Sequence, residues 1–257
     1  MDTPIPEAVR NVDPPFFDDV MAQCVRFSVG PWRAAFPDGP IADVLSLHAD
    51  GHITRREMLE AATRARESGW IAGELRHAVA ATMLWGIGSG NAGRGFDWAH
   101  RLFADVNLDT TLARVTQMLE VGDVPRAYLA ARSLLGIREP FFTKVLYSLG
   151  TAARCAPQPL TLDSRVRNAL KAVGYVYGRR GQRRELQYAT WVTDMHRWAA
   201  ALGCRSDQIE FALFELCHQP ESWALTDTDQ TVGPEVGGHC RGPLGLGSAL
   251  PEATGRR

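Results

Sequence analysis

Residues 136–170 read GIREPFFTKVLYSLGTAARCAPQPLTLDSRVRNAL. The run FFTKVLYSLG spaces its apolar side chains as a helix does, and Lys144 is its only charge. A lysine in such a helix either points to solvent or sits in a pocket that lowers its pKa and leaves a nucleophilic amine. Nineteen positions on, Asp163 follows PQPLTL and opens SRVRNAL, the place for a carboxylate that caps a helix by accepting backbone N–H bonds. The stretch therefore predicts two helices, with an amine on the first and a carboxylate at the head of the second.

Working outward, the same periodicity recurs in GELRHAVAATMLWG, DWAHRLFADV, TTLARVTQMLEVG, VPRAYLAARSLLG, LQYATWVTDMHRWAAALG and SDQIEFALFELC. TRREMLEAATRARESG opens with a Thr54 to Glu57 capping box and stops at Gly69. Alternating strand patterns are nearly absent and there is no internal repeat, so the expectation is an all-α fold of eight or nine helices. Residues 1–15 and 220–257 are rich in Pro, Gly, Ser and Thr and read as flexible tails; residues 16–219 read as the folded domain, in one body or two packed lobes.

Composition narrows the classes. Hydrophobic residues at 45% and charged residues at 22% fit a globular chain, and the net charge of -1 makes no global claim about partners. Five cysteines without a CxxC pair suggest neither a disulfide framework nor a zinc ribbon, and a reducing cytoplasm fits best. The start MDTPIPEAVRNVDPP lacks the basic and apolar regions of a secretory signal, and no window approaches ~20 uninterrupted apolar residues, so no membrane partner is expected.

Two segments imitate known motifs. SLHADGHITRRE has Asp50, Gly51, Ile53 and Glu57 at calcium-loop offsets, but Ser46 and His48 hold the first two ligand positions, so a turn feeding a capped helix is the better reading. GSGNAG, residues 88–93, satisfies G-x-G-x-x-G but follows an Ala-rich helical run rather than a strand. The glycines of WGIGSGNAGRG more plausibly let backbone approach another helix or a phosphate.

The pair of Lys144 and Asp163 resembles the helix-hairpin-helix DNA glycosylases, above all the bacterial proteins with an 8-oxoguanine glycosylase (OGG) fold. Thr143-Lys144-Val145 stands where those enzymes carry T-K or T-K-V, and Leu162-Asp163 where a Val/Leu-Asp pair heads the next helix. WGIG near residue 85 and QIEFALF near residue 211 are similar to the flanking segments of the bacterial subgroup. One departure is clear: the usual hairpin resembles L-P-G-V-G, whose glycines let backbone N–H groups grip a DNA phosphate, whereas Leu135 to Pro140 keeps only Gly136. Arg138 offers a charge in its place.

The resemblance implies an enzyme that flips a damaged base out of DNA, with Lys144 attacking C1′ of its sugar to leave a Schiff base. It implies that Asp163 stabilises the positive charge developing on the sugar. The implied base pocket includes Ser148, Phe141 and Trp85; Ser148 equally suits a hydroxyl bonded to its own helix backbone. Independently, Arg165, Arg167, Lys171, Arg179, Arg180, Arg183 and Arg184 fall within twenty residues that hold no acid, a pattern suited to phosphates or to a solvated loop. Tyr175 and Tyr177, among them, either stack on a base or anchor the loop. The expectation is thus an oxidised-purine DNA glycosylase with lyase activity, monomeric, cytoplasmic and nucleoid-associated, with DNA as partner and with no cofactor and no metal. Two alternatives stay open: an inactive relative that binds DNA or a protein, and an enzyme processing another nucleic acid.

Overall fold

The computed structural model describes residues 4–11, 13–88, 92–178 and 181–216. The chain enters through four short helices, α1 (Glu7–Arg10), α2 (Phe17–Met21), α3 (Val29–Ala35) and α4 (Gly39–Leu47). Among them run two strands, β1 (Cys24–Arg26) and β2 (His52–Thr54), paired antiparallel with Val25 opposite Ile53. Helices α5 (Arg55–Glu67), α6 (Ala72–Ile87), α7 (Ala92–Phe103), α8 (Leu108–Glu120) and α9 (Val124–Ala131) follow. Then come α10 (Glu139–Ala153), α11 (Ser164–Ala172), α12 (Arg184–Leu202) and α13 (Ser206–Leu216).

The all-α expectation holds, with two additions. Helices α1 to α3 span four to seven residues each, too few turns for a 3.6-residue period to stand out, and α4, with nine, is a further helix that length does not explain. The strands are three residues long, too short for alternation to register. The expected N-terminal tail is also partly folded: α1 lies inside it and buries Val9, and the Gln208 amide donates to the Pro15 carbonyl at 2.6 Å. The expected tail at 220–257 and residues 89–91 of GSGNAG lie outside the described residues. The calcium-loop look-alike is a turn into α5, where Thr54 accepts from the Glu57 amide and the Glu57 carboxylate accepts from the Thr54 amide.

Two helices form the middle. From Ala78 through Ile87 helix α6 is apolar on nearly every side, Thr82 apart, and a stretch with no polar face must be surrounded. Helix α10 packs against α5, α6, α8 and α9 and buries Phe142, Val145, Leu146, Tyr147 and Leu149. Each such side chain removed from water contributes roughly 1.5–3 kcal/mol, so α10 is firmly seated.

Glycines set the close approaches around it. Gly136, in the turn between α9 and α10, has φ of +85°. A Cβ there would lie 2.7 Å from Arg101 Cβ and 2.8 Å from the Trp98 carbonyl oxygen, so only glycine lets the hairpin press on α7. At Gly150 a Cβ would meet Pro159 at 2.7 Å. The chain leaving the C-terminal end of α10 therefore folds back along it and delivers Leu162 and Asp163 to its N-terminal half, beside Thr143 and Lys144.

Candidate active site

That returning segment is held at every residue. Tyr188 Oη donates to the Leu160 carbonyl at 2.6 Å and lies 3.2 Å from the Leu160 amide, which donates to it. Thr161 Oγ1 donates to Glu210, which is also paired with Arg55 at 2.9 Å in a site where both side chains are 1% exposed. The Leu162 amide donates to Thr143 Oγ1 at 3.1 Å, while that hydroxyl donates to the Glu139 carbonyl at 2.7 Å. Thr143 and Leu162 immediately precede Lys144 and Asp163, so one hydrogen bond between the neighbours fixes the two charged residues relative to each other.

Asp163 is the N-cap of α11. Its Oδ1 accepts from the amides of Arg165 and Val166, each at 3.0 Å. Its Oδ2 lies 3.9 Å from Lys144 Nζ, with the two side chains 14% and 12% exposed. Lys144 Nζ also donates to the Gly86 carbonyl at 3.3 Å. The ammonium lies 5.2 Å from the Phe141 ring centre and 5.5 Å from that of Trp85. Gly86 is what makes this possible, since a Cβ on it would stand 3.1 Å from both Lys144 Cδ and Phe141 Cε1. The glycine in WGIG thus lets α6 approach α10 at the lysine.

The pair opens into a cleft of about 470 Å³ lined by Gly86, Trp98, Arg138, Pro140, Phe141, Ser164 and Arg167, besides Lys144, Asp163 and Glu139. Trp98 and Phe141 stand 4.9 Å apart at 57°, forming an apolar wall opposite polar groups. Trp98 gives no sign of this in the sequence, because its place depends on α7 meeting the hairpin at Gly136.

Glu139, at the head of α10, was likewise missed. It binds Arg184 through two nitrogens at 2.9 and 2.7 Å, Arg167 at 3.3 Å, and the hydroxyls of Tyr128 and Tyr177. Burial pushes its carboxyl up, but the hydrogen bonds from Arg184 and Tyr128 and the charges of Arg184 and Arg167 outweigh this and hold it below the usual carboxylate range.

Several expected placements change. Ser148 does not reach the cleft: it is fully buried, donates to the Val145 carbonyl at 3.1 Å and lies 3.0 Å from Thr82 Oγ1. The reason is on α6, where Gly86 leaves space beside Lys144 but Thr82, one turn back, closes over Ser148. Trp85 is buried behind Lys144 rather than lining the cleft, whereas Phe141 does line it. Within the basic stretch, Arg167 and Arg184 are paired with Glu139 and Arg183 with Glu185, so acids from outside the twenty residues compensate three of the charges. Arg165 stacks over the Phe214 ring at 4.9 Å, Lys171 is exposed, and Arg138 is exposed at the cleft rim. Arg179 and Arg180 lie outside the described residues. Both tyrosines are anchors: Tyr177 binds Glu139 at 3.1 Å and Tyr175 binds Asp194 at 2.8 Å.

Among the described residues no three His, Cys, Asp or Glu side chains are grouped to hold a metal ion, and no helix is long and apolar enough to cross a membrane. A family model described as "Putative 8-oxoguanine DNA glycosylase OGG-like protein" matches residues 18–214. No curated protein and no solved structure matches the chain.

Proposed function

The chain belongs to the 8-oxoguanine DNA glycosylase OGG-like family, and on that premise we propose that it excises an oxidised purine of the 8-oxoguanine type from DNA and then acts as a lyase. The observation that carries this reading is the 3.9 Å approach of Lys144 Nζ to Asp163 Oδ2 at the wall of a cleft. An amine and a carboxylate so placed suit displacement at a sugar carbon.

The damaged nucleotide, turned out of the duplex, enters the cleft with its base against Trp98 and Phe141. Nζ must give up its proton before attack, and Asp163 Oδ2 is the adjacent acceptor. As the Nζ–C1′ bond forms, the C1′–N9 bond breaks; its electron pair leaves with the base, which takes up a proton. The proton that the base takes up is the one Asp163 accepted from Nζ, so Asp163 is again a carboxylate facing the positive charge spread over C1′ and the ring oxygen, which it stabilises. Opening of the sugar ring with loss of the second Nζ proton leaves the Schiff base from which strand cleavage proceeds. The α11 amides keep Oδ1 occupied, so the catalytic oxygen does not depend on the cap.

The test is incubation with a duplex containing 8-oxoguanine in the presence of borohydride. The parent protein is expected to give a covalent protein–DNA band, and Lys144→Gln to give none while still folding and binding DNA. A band of undiminished intensity from Lys144→Gln excludes Lys144 as the nucleophile; none from the parent leaves an inactive DNA-binding relative as the better reading.

A further inference from the structure

Arg55 opens α5 and Glu210 lies in α13, and their side chains meet with only 1% of each exposed. Arg55 Nη1 donates to Glu210 Oε2 at 2.9 Å, while Arg55 Nε and Nη2 donate to Gln23 Oε1 at 2.9 and 2.6 Å. The rings of Trp85, Tyr147 and Phe211 surround the guanidinium, with centres 5.2, 5.3 and 5.7 Å away. Apolar side chains of similar volume fill such a space at equal or lower cost, so stability is a weak reason for a buried ion pair.

The pair touches both halves of the site from behind. Glu210 Oε1 accepts from the hydroxyl of Thr161, a buried residue two positions before Asp163. The Trp85 ring that lies against Arg55 is also the ring 5.5 Å from Lys144 Nζ. Burial raises the Glu210 carboxyl above its ordinary value against the pull of Arg55 and the Thr161 hydrogen bond, and the Asp163 charge adds to the rise. The pair therefore stands within electrostatic reach of the site.

Lys144 and Asp163 hold each other only loosely. Their 3.9 Å separation is longer than a hydrogen bond, and Asp163 Oδ1 is taken by the α11 amides. The direction of Oδ2 is thus set by the backbone at 160–163, and the Thr161 side chain ties that backbone to α5 and α13.

We propose that the buried Arg55–Glu210 pair positions Asp163 for reaction, acting through the Thr161 hydroxyl. The assignment rests on the glycosylase reading and adds to it three positioning residues that touch neither base nor sugar.

The experiment is a double-mutant cycle on the full-length protein. Thr161→Val removes the hydroxyl at nearly constant volume, Thr161→Ser keeps it, and each is made alone and with Asp163→Asn. Single-turnover excision from an 8-oxoguanine duplex is expected to slow about tenfold in Thr161→Val and to stay near the parent rate in Thr161→Ser. Affinity for a duplex with a tetrahydrofuran abasic analogue is expected to be equal for all, since Thr161 is buried. In the Asp163→Asn background, Thr161→Val is expected to change the rate by less than about twofold, because a residue that acts through Asp163 has nothing left to position. Should Thr161→Val melt near the assay temperature, Arg55→Met with Glu210→Leu, which leaves no buried charge, takes its place with the same expected slowing. If the parent excises and Thr161→Val matches it, or Thr161→Ser is as slow as Thr161→Val, the assignment is wrong and the glycosylase reading stands. An equal slowing with and without Asp163→Asn likewise reduces Thr161 to a structural residue. A parent that neither excises the base nor is trapped by borohydride ends both.

Discussion

Asp163 divides its work between two oxygens: Oδ1 takes two amides of α11 while Oδ2 faces Lys144. An asparagine keeps an oxygen for the cap but presents a neutral amide to the lysine. Asp163→Asn is therefore expected to shift stability by less than about 1 kcal/mol and to slow base excision on the order of a hundredfold. Thermal melting and single-turnover excision check this; a variant that unfolds, or that turns over as the parent does, shows the residue to be structural. The two charged residues were legible because both signals are local, a lone charge in an apolar helix and a carboxylate before SRVRNAL. Ser148 misled because helical spacing tells which turn a residue occupies but not which neighbouring helix covers that turn.

Helices α10 and α11 are tied to α12 through Glu139, which gathers arginines 28 and 45 positions away. No window of sequence holds both partners, which is why the basic stretch read as uncompensated. The linkage has a definite sign. Because the folded state holds the Glu139 carboxyl below its ordinary value of 4.5, its ionised form contributes stability above that pH, and the contribution is lost as pH falls through the folded value. Glu139→Gln is therefore expected to melt well below the parent near pH 7, with the gap narrowing as pH drops below the ordinary carboxylate range. A gap that stays constant from about pH 7 to pH 3 would show that the carboxylate's charge is not what matters.

Across the whole molecule, the helices from α5 onward were readable from their apolar spacing, while α1 to α3 and the small sheet were not, being too short to carry a period. The site is assembled from α6, α7, the α9–α10 hairpin, α10 and the head of α11, and its cleft exists only because Gly86 and Gly136 permit contacts that the sequence marks merely as glycine. Every one of these elements converges on one amine. Its covalent chemistry is best read directly: the parent protein, reduced by borohydride during reaction with an 8-oxoguanine duplex and digested with nuclease and protease, is mapped by mass spectrometry for the residue that carries the reduced sugar. The adduct is expected on Lys144 alone; an adduct on the N-terminal amine or on Lys171, with Lys144 unmodified, contradicts the account.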